Sequence, residues 1–536
     1  MRFISFLNTK TASVICLLIA VVCRVTNILF VSFIGRDKII VMQHSRNWLE
    51  GKGLSIVRYY IENLETPVYD FTPYWPPGYP ILLAPFLKIF NYDTYWATTA
   101  SDIFFGIAFV LVVRKIVQEL NFPVIAVNII TVIAGCFDYP FIYKSLPTDI
   151  SAFVFFLIGI LLLLKIVRNE KFQILKLIAA SIFLFIPCTI RYSYPPLTIA
   201  APIAVIFLGF YLKKKMLLKK GSVILLLVIA LIACFLITLK TYTGSAGYIV
   251  ETKRGFYPEN FLHWTPFIIQ SFINTIFLIS QFINRTGLSL EQNIFLFEIV
   301  NAILFIGLLS SFAYLFFKKQ FFKITTPFTY FLLIGLAISA ATCISLSYLT
   351  ITFQPQLNWG NYLTESRYFM FINLFLQIAF VGWIFLYSSW KKDFFQKVVI
   401  ICFSCVLFIE IAHNIYFDTK VITHPGKYHA PDEEPDYVYF ISLMNSLGKE
   451  NPDADMCVVS DNDDFFPLAT NYLGYKGVYD GKNMLKELPK VKKKTILILA
   501  LYELEMNDYR PFIAAHNGKF LKMVAWVYFY RIDLSP

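Results

Sequence analysis

Apolar stretches of about 20 residues, the length of a helix that crosses a bilayer, recur along this chain from residue 11 as far as residue 417. In hydrocarbon a backbone has no water to bond, so such stretches form helices that satisfy their own N–H and C=O groups. Spans are predicted at 11–33, 98–117, 123–141, 149–168, 172–188, 194–212, 221–239, 291–317, 325–351, 367–389 and 396–417. That makes about eleven, and the shorter or mixed segments 77–90 and 261–283 extend the range to about thirteen. The first of these two, PGYPILLAPFLKIF, is too short to cross comfortably and is expected to be half-inserted or interfacial.

Only 15% of the 536 residues are charged, against roughly 25% in an ordinary soluble domain. This excludes a soluble enzyme. The net charge of +12 is no nucleic-acid signal, because much of the excess sits in short loops. Arg114/Lys115, Lys165/Arg168/Lys171, Lys213 to Lys220, Lys318/Lys319/Lys323 and Lys391/Lys392/Lys397 fall at every second loop. By the positive-inside rule those loops and the N-terminus are cytoplasmic. The opposite loops, 34–76, 141–148, 189–193, 240–290 and 352–366, then face outward, as does the tail. The apolar run after Lys10 is longer than a signal-peptide core and lacks an A-x-A cleavage site, so it is expected to remain as the first helix. Eight of the nine cysteines lie in or beside apolar segments, which leaves no disulfide framework. The pair Cys402 and Cys405 reads as helix packing.

From residue 418 the composition turns polar. Strands are predicted at Met456 to Ser460, Gly477 to Tyr479, Thr495 to Leu499 and Met523 to Ile532. Helices are predicted at Asp436 to Leu447, Phe465 to Leu473, Met484 to Leu488 and Tyr509 to His516. The expected organisation is thus a polytopic α-helical membrane domain, 1–417, and a small soluble α/β domain, 418–536, on the outer face. The acidic cluster Asp461, Asp463 and Asp464 lacks the glycine and distal Glu of a calcium loop and reads as solvated.

Charges at a membrane edge are costly, so they direct attention to function. Asp37 follows the first helix, in a stretch that suits a helix lying along the membrane up to Gly51. The aromatic, proline-rich segment YDFTPYWPPGYP spans 69–80, with Tyr74, Trp75 and Tyr79 as candidates to stack on a sugar. Asp149 opens a later span, Arg191 lies in a short outward loop, and Glu365 and Arg367 sit together in ESRYF. Any one of these also serves as a cap or an interface anchor. Together they place carboxylates and cations at one outer plane. Arg24, inside the first helix, is expected to pair with an internal carboxylate such as Asp102 or Glu410. His44, His263 and His413 have no metal-ligand spacing.

The order of one helix, an outward Asp, DKIIVMQHSRNWLEGKG and then WPPGYP resembles the GT-C integral-membrane glycosyltransferases, in particular relatives of protein O-mannosyltransferases and aminoarabinose transferases. The family's Asp, its Arg nine residues on and the following Leu correspond to Asp37, Arg46 and Leu49. Its proline pair corresponds to Pro76 and Pro77, its later acidic residue to Asp149, and its late Arg-Tyr to Arg367 and Tyr368. Lys38 stands where a second acidic residue often occurs, which disfavours a two-carboxylate metal site, so no metal or other cofactor is assigned. Trp75 replaces a basic residue, so another cation must hold the donor phosphate: Lys38, Arg46, Arg58, Arg191 and Arg367 are the candidates.

The resemblance implies transfer of a sugar from a polyprenyl-phosphate donor to an acceptor hydroxyl on a glycan, lipid or protein, with Asp37 as general base and Asp149 and Glu365 at the substrate. The expected setting is a bacterial cytoplasmic membrane with the tail in the periplasm. A flippase or transporter of lipid-linked sugars, and a polymerase or ligase, stay open as alternatives. A transporter is expected to show internal repeats and deep cavity charges. The chain shows neither clearly.

Overall fold

The computed structural model describes residues 6–30, 36–60, 63–71, 76–93, 95–136, 148–169, 171–244, 255–258, 327–352, 369–387, 435–460, 465–478, 493–524 and 526–535, with Lys397, Thr419 and Val491. In chain order the elements are α1 (Lys10–Phe30), α2 (Arg36–Leu49), β1 (Ile56–Tyr60), β2 (Asn63–Asp70), α3 (Gly78–Ile89), α4 (Trp96–Glu119), α5 (Val124–Cys136), α6 (Thr148–Arg168) and α7 (Ile174–Ile190). Then come α8 (Pro195–Tyr211), α9 (Lys215–Thr243), α10 (Pro327–Thr352) and α11 (Met370–Gly382). The tail contributes α12 (Pro435–Glu450), β3 (Asp455–Val459), α13 (Phe465–Tyr472), β4 (Lys476–Val478), β5 (Thr495–Tyr502), α14 (Met506–Ala515), β6 (Lys519–Val524) and β7 (Val527–Leu534). They form two compact units: Met1–Phe30, Asp102–Tyr143 and Thr148–Thr423 in one, Val31–Ser101, Lys144–Pro147 and His424–Pro536 in the other.

The first unit is helical and apolar. Among the described residues, Thr148–Arg168, Lys215–Thr243 and Pro327–Leu349 are each long and apolar enough to cross a membrane, and shorter apolar helices accompany them. The chain is therefore an integral membrane protein. The spans predicted at 98–117, 149–168, 172–188, 194–212, 221–239 and 325–351 coincide with α4 and α6 to α10. Those at 291–317 and, apart from Lys397, 396–417, and the segment 261–283, lie outside the described residues.

In lipid there is no hydrophobic drive between helices, so close packing through small residues takes its place. α1 and α5 meet in this way. A Cβ added to Gly135 would come within 2.3 Å of the Ala20 Cα, and the Arg24 guanidinium donates to the Ala134 carbonyl. Arg24 is fully buried, with its charge 5.6 Å from the Phe109 ring centre of α4 and its aliphatic stem beside Gly106, one turn beyond Asp102. Of its two expected partners, Asp102 is thus on the helix that Arg24 packs against, and Glu410 lies outside the described residues.

The second unit holds a seven-stranded sheet in the order β2-β1-β4-β3-β5-β7-β6. β1, β4, β3 and β5 run parallel, with an antiparallel hairpin at each edge. β5, TILILALY, is apolar throughout and buried from Thr495 to Leu501, as a central parallel strand covered on both faces requires. Two expectations are corrected here. The strand predicted at 523–532 is a hairpin, because β6 ends at Val524 and β7 returns antiparallel from Val527. The boundary at 418 also fails as the limit of the α/β domain, since the loop 34–76 supplies α2, β1 and β2 to it. Tyr59 pairs with Val478, and buried Asn471 donates to the Val57 carbonyl (2.9 Å) while accepting from Gly477 N (2.7 Å). The predicted helix 484–488 and the Asp461 cluster lie outside the described residues.

The packing at Gly135 admits no side chain. Overpacking a core costs about 1–3 kcal/mol, so Gly135→Leu should lower the melting midpoint in mild detergent. Val14→Leu, at an exposed α1 position, should not. Size-exclusion of heated, detergent-solubilised protein measures both.

Candidate functional site

In the α/β unit, α2 is the unusual element. Its sequence, RDKIIVMQHSRNWL, is polar, yet Lys38, Gln43, His44, Ser45 and Asn47 are all at most 3% exposed. Burying such groups costs energy unless each finds a partner. Ser45 donates its hydroxyl to carbonyls of Val41 (2.9 Å) and Pro80 (2.8 Å), and Asn47 donates to the Ser55 carbonyl (2.8 Å). The Gln43 amide has no hydrogen-bond partner at either end. The His44 ring stacks on Phe71 at 5.8 Å. Asp37 sits in the first turn, half-buried, where a carboxylate complements the helix dipole.

The candidate cations in this unit differ in setting. Arg46 is already engaged: Nε donates to Glu50 (2.8 Å), Nη1 to the Tyr472 carbonyl, and its charge lies 5.2 Å from the Tyr92 ring centre. It joins α2 to α13, as the hydroxyl of Tyr472 joins α13 to the Tyr92 carbonyl (2.7 Å). Arg58 lies on β1, 3.8 Å from Asp70 across the hairpin. Lys38 is buried. Tyr79, expected to stack on a sugar, is instead fully buried in α3 with its hydroxyl 3.4 Å from Ser101 Oγ. The helical phase turns its ring into the packing. Tyr74, Trp75, Glu365 and Arg367 lie outside the described residues.

In the membrane unit, Asp149 and Arg191 form a buried ion pair, Arg191 Nε to Asp149 Oδ1 2.9 Å, with side chains 4% and 6% exposed. Arg191 Nη1 reaches Thr148 Oγ1 at 3.4 Å. Asp149 Oδ2 is buried and has no hydrogen-bond partner. The two residues come from the start of α6 and the end of α7, a juxtaposition that the expected roles of Asp149 and Arg191 did not include. Asp149 lines a cavity of about 380 Å³ with Tyr192, Tyr194, Thr342, Ser345, Tyr348 and Met370 among its walls. A half-open, mostly apolar cavity with one carboxylate at its wall suits a ligand with an apolar body and a polar end. The cavity walls from α10 were not read as site residues. Among the described residues, no three His, Cys, Asp or Glu gather as a metal site.

Neither a protein-family model nor a curated protein sequence matches the chain. Similar solved structures include ArnT from Cupriavidus metallidurans bound to undecaprenyl phosphate, with 10% identity, a TM-score of 0.46 and 98% of each chain covered. The Archaeoglobus fulgidus oligosaccharyltransferase in complex with Zn and sulfate has 12% identity and a TM-score of 0.45, over 95% of this chain and 72% of that one. The archaeal oligosaccharyltransferase AglB from Archaeoglobus fulgidus, with an inhibitory peptide and a dolichol-phosphate, has 11% identity and a TM-score of 0.45, over 96% and 73%. These likenesses concern the overall course of the chain.

Two outcomes test this geometry. Removing one partner of a buried ion pair costs about 3–5 kcal/mol, so Asp149→Asn and Arg191→Met should each lower the melting midpoint. The double variant should cost less than their sum, as a thermal double-mutant cycle would show. Burial pushes the His44 ring down from 6.5 to about 4. The unfolded ring takes its proton near pH 6.5, so this contribution is complete above 6.5 and lost as pH falls to 4. His44→Gln should flatten the stability profile in that window.

Proposed function

We propose that this protein is a membrane glycosyltransferase of the GT-C kind that uses a polyprenyl-phosphate-linked sugar as donor. The observation that carries the reading is α2: a polar helix, buried by its neighbours, that opens with a half-buried carboxylate at Asp37. A chain that needed only a connector here gains nothing from burying Gln43 with neither amide atom bonded. Costs of this kind are kept where a side chain must be held in place.

In the reaction, the Asp37 carboxylate takes the proton from an acceptor hydroxyl as its oxygen bonds to the anomeric carbon. The bond from that carbon to the phosphate oxygen breaks, and the polyprenyl phosphate leaves with the electron pair. General-base help of this sort is worth about 10²- to 10⁴-fold. Negative charge grows on the leaving phosphate, so a preorganised cation is needed beside it. Lys38 and Arg58, from the same outward loop as Asp37, are the proposed cations. Arg46, bonded to Glu50 and Tyr472, acts by positioning α2. The acceptor is a glycan, lipid or protein hydroxyl at the outer face.

The test is transfer of labelled sugar from a polyprenyl-phosphate donor by membranes that contain the wild type or Asp37→Asn at matched folded levels. Asp37→Asn should lose at least about 10²-fold of the transfer rate while retaining donor binding. Wild-type membranes that move the labelled lipid across the bilayer without transferring sugar would replace this reading with the flippase.

A further inference from the structure

The membrane unit has a second cavity, of about 560 Å³, where α6 ends and α9 begins, beside α10. Its walls carry Arg168, Lys214, Lys215 and Lys220, with Asn121 and Asn169 as neutral polar groups, and no Asp or Glu among the described residues. Arg168 is offset by Glu119, to whose Oε2 it donates at 2.9 Å. Lys214, Lys215 and Lys220 are the other cations of the wall. Lys220 is 1% exposed and donates to the carbonyls of Ile166 (3.1 Å) and Asn169, so it fixes the end of α6 while placing a cation in the wall.

The backbone adds to this charge. The first N–H groups of a helix have no partner within it and carry the positive end of its dipole. α9 is 29 residues long, and its N-cap Lys214 supplies no side-chain cap bond. Pro327, the first described residue of α10, also lines the cavity. The start of α9 and three lysines thus surround one space, an arrangement for an anion. The walls also include Val167, Leu217 and Tyr330, and the side chain of Met216 at the rim is 43% exposed. Nearby helix ends expose Leu175 (79%) and Phe210 (67%). The charge alternation assigns this end of the helices to the cytoplasmic edge of the membrane.

We propose that this pocket binds the phosphate of an anionic phospholipid headgroup in the cytoplasmic leaflet. Basic pockets between membrane helices on that side suit such headgroups. The apolar rim receives the acyl chains, which a free anion lacks. The site is independent of the glycosyltransferase reading.

The experiment measures binding of phosphatidylglycerol to the delipidated full-length protein in detergent, by native mass spectrometry and by the shift in melting midpoint. Lys214 and Lys215 are exposed, so Lys214→Gln/Lys215→Gln should retain the fold, checked by an unchanged lipid-free midpoint. At about 1 kcal/mol per basic residue near a lipid surface, the double variant should bind roughly 30-fold more weakly. Lys176→Gln/Lys219→Gln, the same charge change outside the pocket walls, should leave the affinity unaltered. Phosphatidylcholine and millimolar inorganic phosphate should give no shift. Equal weakening by both double variants, or unchanged affinity in the first, would overturn the proposal. So would an equal shift with inorganic phosphate that Lys214→Gln/Lys215→Gln abolishes, since the ligand would then be a soluble anion.

Discussion

The α/β unit depends on one long-range pairing. β1, from the first outward loop, enters the sheet beside β4 from the tail, and Asn471 fastens the two by bonding Val57 and Gly477 over 414 and 6 residues of sequence. An amide side chain with one donor and one acceptor in use is a specific lock, because a buried strand edge left without partners would cost more than the packing returns. Everything that the loop carries is positioned by this lock. α2 is held between α3 and α13, and the Arg46 to Tyr472 and Tyr472 to Tyr92 bonds repeat the same connection.

This explains how a polar helix can be buried. Its own residues supply little apolar area, so burial comes from neighbours drawn from both segments of the chain. The tail is then a structural condition for the geometry of Asp37. The membrane unit has its own version of the same logic. There α1 and α5 approach through Ala20 and Gly135, and the Asp149–Arg191 pair brings two helix ends together in a place where each charge alone would be costly.

The spans were legible because hydrocarbon allows only one backbone solution, and the central strands β3 and β5 because apolar β-type runs stood out in a polar tail. β1 and β2 were not. They are mixed in polarity, and although β2 pairs with its neighbour β1, β1 joins the sheet through a strand hundreds of residues away, so no local pattern announces their place in it. Arg46 shows the same limit for the site. Its spacing from Asp37 was visible, but its bonds to Glu50 and Tyr472 were not, and they make it a positioning group. Tyr79 looked like an interface aromatic until helical phase placed it inside.

By itself, the sequence determined that this is a membrane protein with a polar α/β tail. These properties follow from hydropathy and charge, which act residue by residue. Which charges meet was decided only by tertiary structure. Asp149 finds Arg191, Arg46 finds the tail, and three lysines and the start of α9 surround one cavity. Such encounters depend on how separate helices and strands pack, and a pairwise distance is not encoded in any one segment.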